Sequence, residues 1–146
     1  MAALVDTNIL VYCWDWRFPE KRAVAQESLR RGLAEGQVCL AHQAIMEFMA
    51  AVTRLQPDGR ALLPREDACH ETELLLAEFP ILYPNAAVVR TALRGMAAYH
   101  LSWFDAHLWA YAESYGVAEI LSEDFSHGQL YGATRARNPF VAHGLV

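Results

Sequence analysis

The fold class of this chain is decided by LVDTNIL, residues 4–10. Its apolar start predicts a short buried strand over 2–5, and its apolar end predicts a helix over 8–14. A carboxylate that directly follows a strand lies at the edge of an α/β sheet where ligands usually bind. Asp6 is also a common type of helix-capping residue. A cap and a ligand site are therefore both open interpretations of this segment.

Strands and helices alternate along the rest of the chain. Further strands are predicted over 38–41, 81–83 and 118–121, with an edge strand over 138–141. Helices are predicted between them, over 20–35, 43–55, 65–79, 85–99 and 101–115. The alternation predicts an α/β fold of three layers, α/β/α, with a central, mainly parallel sheet of four to five strands. The length of 146 residues fits a single domain over 1–146.

The composition limits the kinds of partner that this chain can have. Apolar residues make up 54% of it, and 12 basic against 17 acidic residues give a formal charge of −5. Proteins that hold nucleic acid by bulk electrostatics are usually basic, so any such contact must be local or helped by a bound cation. Three cysteines without metal-type spacing, and no apolar run long enough for a membrane, favour a soluble cytoplasmic protein that does not contact membranes.

Two acidic residues stand in apolar surroundings near the start of predicted helices. Glu47 is the only polar residue between Ala44 and Val52, and ionised carboxylates are rarely buried without a partner. The alternative is an exposed glutamate on a thin polar face of the helix. Asp105 lies among aromatic residues, but it also follows Ser102 at the spacing of a capping box. Asp105 can therefore be a cap, a ligand or both.

Together with Asp6 and Asp124, which follow strands, these residues make four carboxylates that could converge at one sheet edge. Each pair of unit charges ~4 Å apart would cost roughly 1–4 kcal/mol, against a total stability of about 5–15 kcal/mol. Protonation or a bound cation would relieve this repulsion. Oxygen ligands without Cys or His favour Mg²⁺ or Mn²⁺. Such a site suits phosphodiester hydrolysis, with one metal ion or with two.

Four short motifs occur in an order that resembles a known family. They are DTNIL at 6–10, QAIMEF at 43–48, WFDA at 103–106 and LSED at 121–124, and the tail NPF at 138–140 also matches. With these motifs the chain resembles the PIN-domain family, and within it the VapC-like toxins of prokaryotic toxin–antitoxin pairs. The resemblance covers nearly the whole sequence.

The resemblance implies a parallel-sheet α/β/α fold and Mg²⁺- or Mn²⁺-dependent endoribonuclease activity on RNA. It also implies a homodimer and a small antitoxin whose tail occupies the acidic groove. The implied site consists of Asp6, Glu47, Asp105 and Asp124. Asp6 and Asp105 would be the principal metal ligands, while the other two would complete the site, bind a second metal ion or hold the attacking water.

Three neighbours of these acids also enter the expected site. The resemblance implies that Asn8 and Ser122 support the carboxylates through hydrogen bonds. Glu123 stands beside Asp124, and we expect it to be peripheral, although an exchange of roles between the two is open.

Other families with acidic strand ends fit the sequence less well. A phospho-accepting receiver domain needs a lysine after a late strand, and the only lysine, Lys21, stands in an early helix. A haloacid-dehalogenase-type phosphatase needs D-x-D near the first strand, where position 8 is Asn8. The phosphate-binding motif G-x-x-x-x-G-K-[ST] is missing from the sequence. The remaining alternative is a PIN fold that binds RNA or a protein partner without cutting RNA.

Overall fold

The computed structural model describes residues 2–146, and its centre is a six-stranded sheet. The strands are β1 (Ala3–Val5), β2 (Val38–Ala41), β3 (Ile81–Leu82), β4 (Glu119–Leu121), β5 (Leu130–Tyr131) and β6 (Thr134–Arg137). They are arranged in the order β3-β2-β1-β4-β6-β5, and only the β5–β6 pair is antiparallel. The predicted α/β class with a mainly parallel central sheet is confirmed. The sheet has six strands instead of four to five because a short hairpin, β5–β6, extends one edge.

Six helices cover the two faces of the sheet. They are α1 (Thr7–Tyr12), α2 (Pro19–Ala34), α3 (His42–Thr53), α4 (Arg65–Glu78), α5 (Ala86–Tyr99) and α6 (Trp103–Tyr115). Successive residues of a strand point to opposite faces. Val5 therefore packs in one core with helices α1 to α4, whereas Leu4 packs in a second core with α5 and α6. Burial on both faces explains why the strands are continuous apolar runs.

Within residues 2–146, no helix combines the length and the apolar character that crossing a membrane requires.

Strand β1 lies between β2 and β4, and the parallel pairing places the carboxyl ends of all three at one edge. The backbone N–H of Asp6 donates to the carbonyl oxygen of Leu121 at 2.9 Å, which ties the ends of β1 and β4 together. The chain leaves β1 toward β2 and leaves β4 toward β6, in opposite directions along the sheet order. Such a switch point opens a crevice outside the strand ends, where ligands bind in α/β proteins.

The end of the chain differs from the sequence-based expectation. Residues 138–141, predicted to form an edge strand, instead form a turn that leads into a 3₁₀ helix, Val141–His143, so that prediction is wrong. The reason is a local hydrogen bond: the side-chain oxygen of Asn138 accepts from the backbone N–H of Phe140 at 2.9 Å. An Asn side chain that bonds the backbone two residues on favours a turn over a strand.

Candidate active site

Three carboxylates meet at the crevice beyond β1 and β4. Asp6 directly follows β1, Asp124 follows β4, and Asp105 lies in the first turn of α6. Each of the three offers a carboxylate oxygen, and these atoms all lie within 4.8 Å of one another. Over the described residues 2–146, none of the three forms a salt bridge. The structure therefore concentrates negative charge here without a side-chain counter-ion.

Asp6 caps a helix and belongs to this cluster at the same time. Its Oδ1 accepts from the backbone N–H of Thr7 at 2.7 Å, at the start of α1. Its Oδ2 accepts from the hydroxyl of Ser122 at 2.6 Å. The side chain is only 7% exposed, so its orientation is fixed. Of the two interpretations that the sequence left open, the helix cap is confirmed, and the role of Asp6 as a ligand stays a prediction.

Asn8 and Ser122 connect the acidic residues, as the resemblance implied. The Asn8 Nδ2 lies 3.3 Å from the Oδ2 of Asp6 and 3.1 Å from the Oδ2 of Asp124. The Ser122 hydroxyl also accepts from the backbone N–H of Asp124 at 3.0 Å. The Asn8 Oδ1 is buried and has no hydrogen-bond partner among the described residues. The site thus holds one buried acceptor whose donor these residues do not supply.

Glu47 lies at the wall of the site and not in the cluster of three. Its Oε1 accepts from the Nε2 of Gln43 at 3.0 Å and from the hydroxyl of Thr7 at 3.3 Å. The side chain is partly buried and lines the same cavity as the three aspartates. The alternative of a glutamate on a solvent-facing polar stripe therefore does not describe Glu47. The contact with Gln43 is an i,i+4 pair within α3, which the sequence spacing allows, whereas the contact with Thr7 depends on how α3 packs against α1 and left no signal in the sequence.

A cavity of about 340 Å³ contains these groups. The acidic residues that line it are Asp6, Asp15, Glu47, Asp105, Glu123 and Asp124. Two of them are neutralised by neighbours. Asp15 pairs with Arg17 at 2.8 Å, and Glu123 pairs with Lys21 at 2.9 Å. The four that have no ion pair within the described chain are the four carboxylates that the sequence singled out.

Glu123 differs from Asp124 in its contacts. Besides the ion pair with Lys21, it accepts a hydrogen bond from the hydroxyl of Tyr12 at 2.7 Å. The sequence left open an exchange of roles between the two acids, and these contacts support a peripheral place for Glu123. No sequence signal could have revealed the partner, because Lys21 and Glu123 are 102 positions apart.

The environment changes the proton affinity of two of the aspartates. Burial raises the pKa of Asp6 to about 7, and the charges of Asp124 and Asp105 add to the rise, against the lowering effect of the bonds from Ser122 and Thr7. Burial also raises the pKa of Asp105; a hydrogen bond with Ser102 opposes this rise and the charge of Asp124 adds to it. Removal from water and like charges disfavour the ionised form in both cases.

The donor set suits one kind of ligand. All the available ligand atoms are oxygens, and three of them are carboxylate oxygens within 4.8 Å of one another. Hard divalent cations prefer oxygen ligands. The arrangement could therefore hold a divalent cation, which would also relieve the repulsion among the aspartates.

Comparisons with known proteins identify the family. The family model for the PIN domain matches residues 3–132. A toxin–antitoxin complex from Klebsiella pneumoniae is 22% identical with a TM-score of 0.64, over 94% of this chain and 98% of that one. VapBC2 from Rickettsia felis, bound to a promoter DNA fragment, is 12% identical with a TM-score of 0.69, over 94% and 98%.

A Mycobacterium tuberculosis VapC toxin described as cleaving the sarcin–ricin loop is 14% identical with a TM-score of 0.61, over 82% of this chain and 87% of that one. No curated protein matches the sequence significantly. At these identities the similarity to the solved structures is one of fold. The family model, however, spans most of the sequence together with the acidic crevice, and the chain therefore belongs to the PIN-domain family.

Proposed function

We propose that this protein is a Mg²⁺- or Mn²⁺-dependent endoribonuclease that acts as the toxin of a toxin–antitoxin pair. The observation that carries the proposal is the convergence of Asp6, Asp105 and Asp124 without a counter-ion, with Glu47 at the wall of the same cavity. PIN domains are generally nucleases, and solved structures with the same fold include toxin–antitoxin complexes. Both facts support the proposal.

The three aspartates would hold the metal ion. When bound, such an ion neutralises the phosphate, lowers the pKa of a water molecule and stabilises the leaving oxygen. Because Asp6 is held from two sides, by Thr7 and by Ser122, its carboxylate keeps one orientation. Asn8 bridges Asp6 and Asp124 and fixes their separation. The site is therefore organised by hydrogen bonds before any ligand arrives.

Glu47 has a different role in this proposal. Both of its hydrogen bonds, from Gln43 and from Thr7, use Oε1. Its Oε2 is therefore available to accept the proton of an attacking water, as a general base must. Gln43 also donates to the backbone carbonyl of Phe104 at 3.0 Å, which links α3 to the start of α6. This link joins the helix that carries Glu47 to the helix that carries Asp105, and both side chains line the cavity.

The proposed partners follow from the same family assignment. We propose that a small antitoxin binds the protein, because solved relatives are complexes of that kind. We also propose that the chain acts as a single domain over 1–146, forms a homodimer and meets its RNA in the cytoplasm. Growth arrest on expression, relieved by co-expression of the protein encoded by the neighbouring gene, would support the toxin role. Harmless expression of a folded, active enzyme would contradict it.

The direct test is an RNA cleavage assay with Mg²⁺ or Mn²⁺ against EDTA, on a pool of structured RNAs. We expect wild type to cut only with metal, and Asp6→Asn and Asp105→Asn to lose at least about a hundredfold in rate, because each removes a charged metal ligand. Asp67→Asn is the matched control, since Asp67 is exposed in the first turn of α4 and lies outside the cavity.

The outcome that would reject the nuclease is equally definite. If pure, folded wild type never cuts RNA, and calorimetry detects no binding of Mg²⁺ or Mn²⁺, the carboxylates are caps and wall residues. The protein would then be a PIN fold that binds RNA or a partner without cutting.

A further inference from the structure

A second cavity, of about 280 Å³, lies between α2 and the segment that follows β6. Its polar lining residues are Ser28, Arg31, His127, Arg137, Asn138 and His143. We call this cavity the arginine pocket. Every one of these side chains can donate a hydrogen bond, and no carboxylate is among the lining residues that the structure describes. The chemistry of the arginine pocket is thus the opposite of that of the acidic cavity.

The two arginines differ in how far acidic residues already hold them. Arg31 makes no side-chain hydrogen bond or salt bridge with the rest of residues 2–146. Arg137 contacts Glu119 through Nε at 3.5 Å, which is longer than the roughly 2.7–2.9 Å of a strong charge-assisted bond. In contrast, Arg17 and Arg30 are held by acids at 2.8 and 2.7 Å. The pocket therefore contains one guanidinium group without an ion pair and a second whose only ion pair among the described residues is long.

His127 and Asn138 are oriented to donate as well. The backbone N–H of Asn138 donates to the Nδ1 of His127 at 3.0 Å. Because Nδ1 accepts this bond, a neutral His127 ring carries its proton on Nε2, and the free nitrogen is a donor. The Asn138 Oδ1 is occupied by the backbone N–H of Phe140, which leaves its Nδ2 as the free group. The lining thus combines positive charge with fixed neutral donors.

The arginine pocket is one strand away from the acidic cluster. Arg137 pairs with Leu121 in the parallel β4–β6 register, and the Ser122 N–H donates to the Arg137 carbonyl oxygen at 3.0 Å. The hydroxyl of the same Ser122 holds Asp6. His127 stands three positions after Asp124. An RNA strand whose scissile phosphate lies at the aspartates could therefore continue past the end of β4 and place another of its phosphates in the pocket.

We propose that the arginine pocket binds a backbone phosphate of the RNA substrate, away from the one that is cut. The proposal rests on the proposed endoribonuclease function. A protein with a formal charge of −5 cannot hold RNA through its overall field. It needs a local site, and the planar, forked guanidinium of arginine matches the geometry of a phosphate. The arginine pocket supplies that site, and binding there positions RNA for the acidic cavity.

The test measures the affinity of labelled single-stranded RNA by fluorescence anisotropy, in an Asp6→Asn background that prevents cleavage. The pocket variant carries Arg31→Gln and Arg137→Gln. The charge-matched control carries Arg65→Gln and Arg90→Gln, two exposed arginines on α4 and α5. Each lost phosphate contact should cost about fivefold at about 0.1 M salt and reduce the salt slope by about 0.7. We expect the pocket variant, which loses this one phosphate contact, to bind about fivefold more weakly than its parent.

The control variant should bind close to its parent, and Arg31→Lys with Arg137→Lys should restore most of the salt slope by restoring the charge. In the cleaving background, the pocket variant should raise KM and leave kcat unchanged. Equal losses in the pocket and control variants would overturn the proposal, as would wild-type RNA affinity in the pocket variant. If the pocket variant keeps wild-type RNA affinity but no longer binds inorganic phosphate, the arginine pocket is a site for free anions and not for RNA.

These outcomes are independent of the cleavage test. RNA binding that depends on the arginine pocket in a protein that never cuts would reject the nuclease and retain the pocket. Metal-dependent cleavage by wild type, together with unchanged RNA affinity in the pocket variant, would retain the nuclease and reject the pocket.

Discussion

The carboxylate of Asp6 has a structural role and a proposed functional role, and the two have opposite effects on the stability of the fold. Its hydrogen bonds to Thr7 and Ser122 stabilise the start of α1 and the end of β4. Its burial next to Asp105 and Asp124 raises its pKa to about 7, because the ionised form is costly there. A residue that weakens the fold in order to prepare a site is typical of functional positions. The cost should be measurable.

The first prediction concerns the pH dependence of stability in EDTA. Asp6 keeps its proton in the folded state up to a pKa of about 7, whereas in the unfolded chain it ionises near 3.8. Between these values the folded state binds more protons, so the free energy of unfolding falls as pH rises. A shift of this size corresponds to on the order of 4 kcal/mol. Urea denaturation of wild type and Asp6→Asn at about pH 5 and about pH 8 measures the free energy of unfolding at both ends of this range.

We expect Asp6→Asn to be more stable than wild type at the higher pH and to lose most of the pH dependence. Addition of Mn²⁺ at the higher pH should stabilise wild type and leave Asp6→Asn unchanged. Identical pH profiles for the two proteins would show that Asp6 is ionised without cost.

The second prediction concerns Ser122, which positions carboxylates and touches no substrate in our proposal. Its hydroxyl donates to Asp6 and accepts from the backbone N–H of Asp124. Removal of a group that orients metal ligands typically weakens metal binding about 10- to 100-fold. We therefore expect Ser122→Ala to raise the Kd for Mn²⁺ by that factor in calorimetry. Ser126→Ala, at an exposed position of the same loop, should bind as wild type does. Equal Kd values in the two variants would remove Ser122 from the site.

At the scale of the elements, the sequence was sufficient where a local pattern decides the structure. Apolar runs followed by Asp6 and Asp124 revealed two strand ends, and helix starts at 43 and 101 placed Glu47 and Asp105 nearby. The roles of these four residues as metal ligands or catalysts stay predictions. Their geometry could be anticipated because parallel strands end at one edge of a sheet.

The sequence was insufficient where contacts join distant positions or where a turn replaces a strand. Lys21 and Glu123 meet only because α2 packs beside the end of β4. The β5–β6 hairpin was missed, although Gly132, with a φ of 61°, stands between Tyr131 and Thr134 as the first residue of a two-residue turn. A glycine at that position between β-favouring residues is a hairpin signal. The strands themselves are too short to show alternation.

The third prediction tests how closely α5 packs on α6, the helix that carries Asp105. A Cβ at Gly95 would lie 2.6 Å from the Cε3 atom of the Trp109 ring. Gly→Ala within a helix normally stabilises by roughly 0.5–1 kcal/mol, but overpacking costs typically 1–3 kcal/mol. We expect Gly95→Ala to lower the free energy of unfolding by about 1–2 kcal/mol in urea denaturation.

A matched background separates overpacking from helix propensity. Trp109→Phe shortens the ring that a new Cβ would meet, so Gly95→Ala should cost less there than in wild type, and the coupling should reach at least about 0.5 kcal/mol. Trp109 lies one helical turn after Asp105, so Gly95→Ala should also weaken Mn²⁺ binding. A stabilising effect of Gly95→Ala would contradict close packing at this contact.

At the scale of the whole molecule, charge is sorted into separate places instead of being spread evenly. The acidic cavity and the arginine pocket lie on either side of the end of β4, in a chain whose formal charge is −5. Most other charged groups near the acidic cavity are paired, as are Asp15 and Glu123. A cation in the acidic cavity and an anion in the arginine pocket would be complementary to this arrangement. A metal ion and a polyanionic chain of phosphates meet both requirements.

The last prediction concerns the proposed homodimer. Val89, Leu93 and Met96 of α5 are 38%, 54% and 37% exposed, and their spacing of four and three residues places them on one face of the helix. Apolar side chains grouped in this way are candidates for an interface, and we assign this one to a second copy of the chain.

A charge at the centre of this apolar face would be desolvated on association, so Leu93→Glu should sediment as a monomer where wild type sediments as a dimer. Leu76→Glu, at another exposed apolar position, on α4, should remain dimeric. A wild-type protein that stays monomeric at high concentration would refute the dimer, whereas a dimer that persists in Leu93→Glu would place the interface on another face.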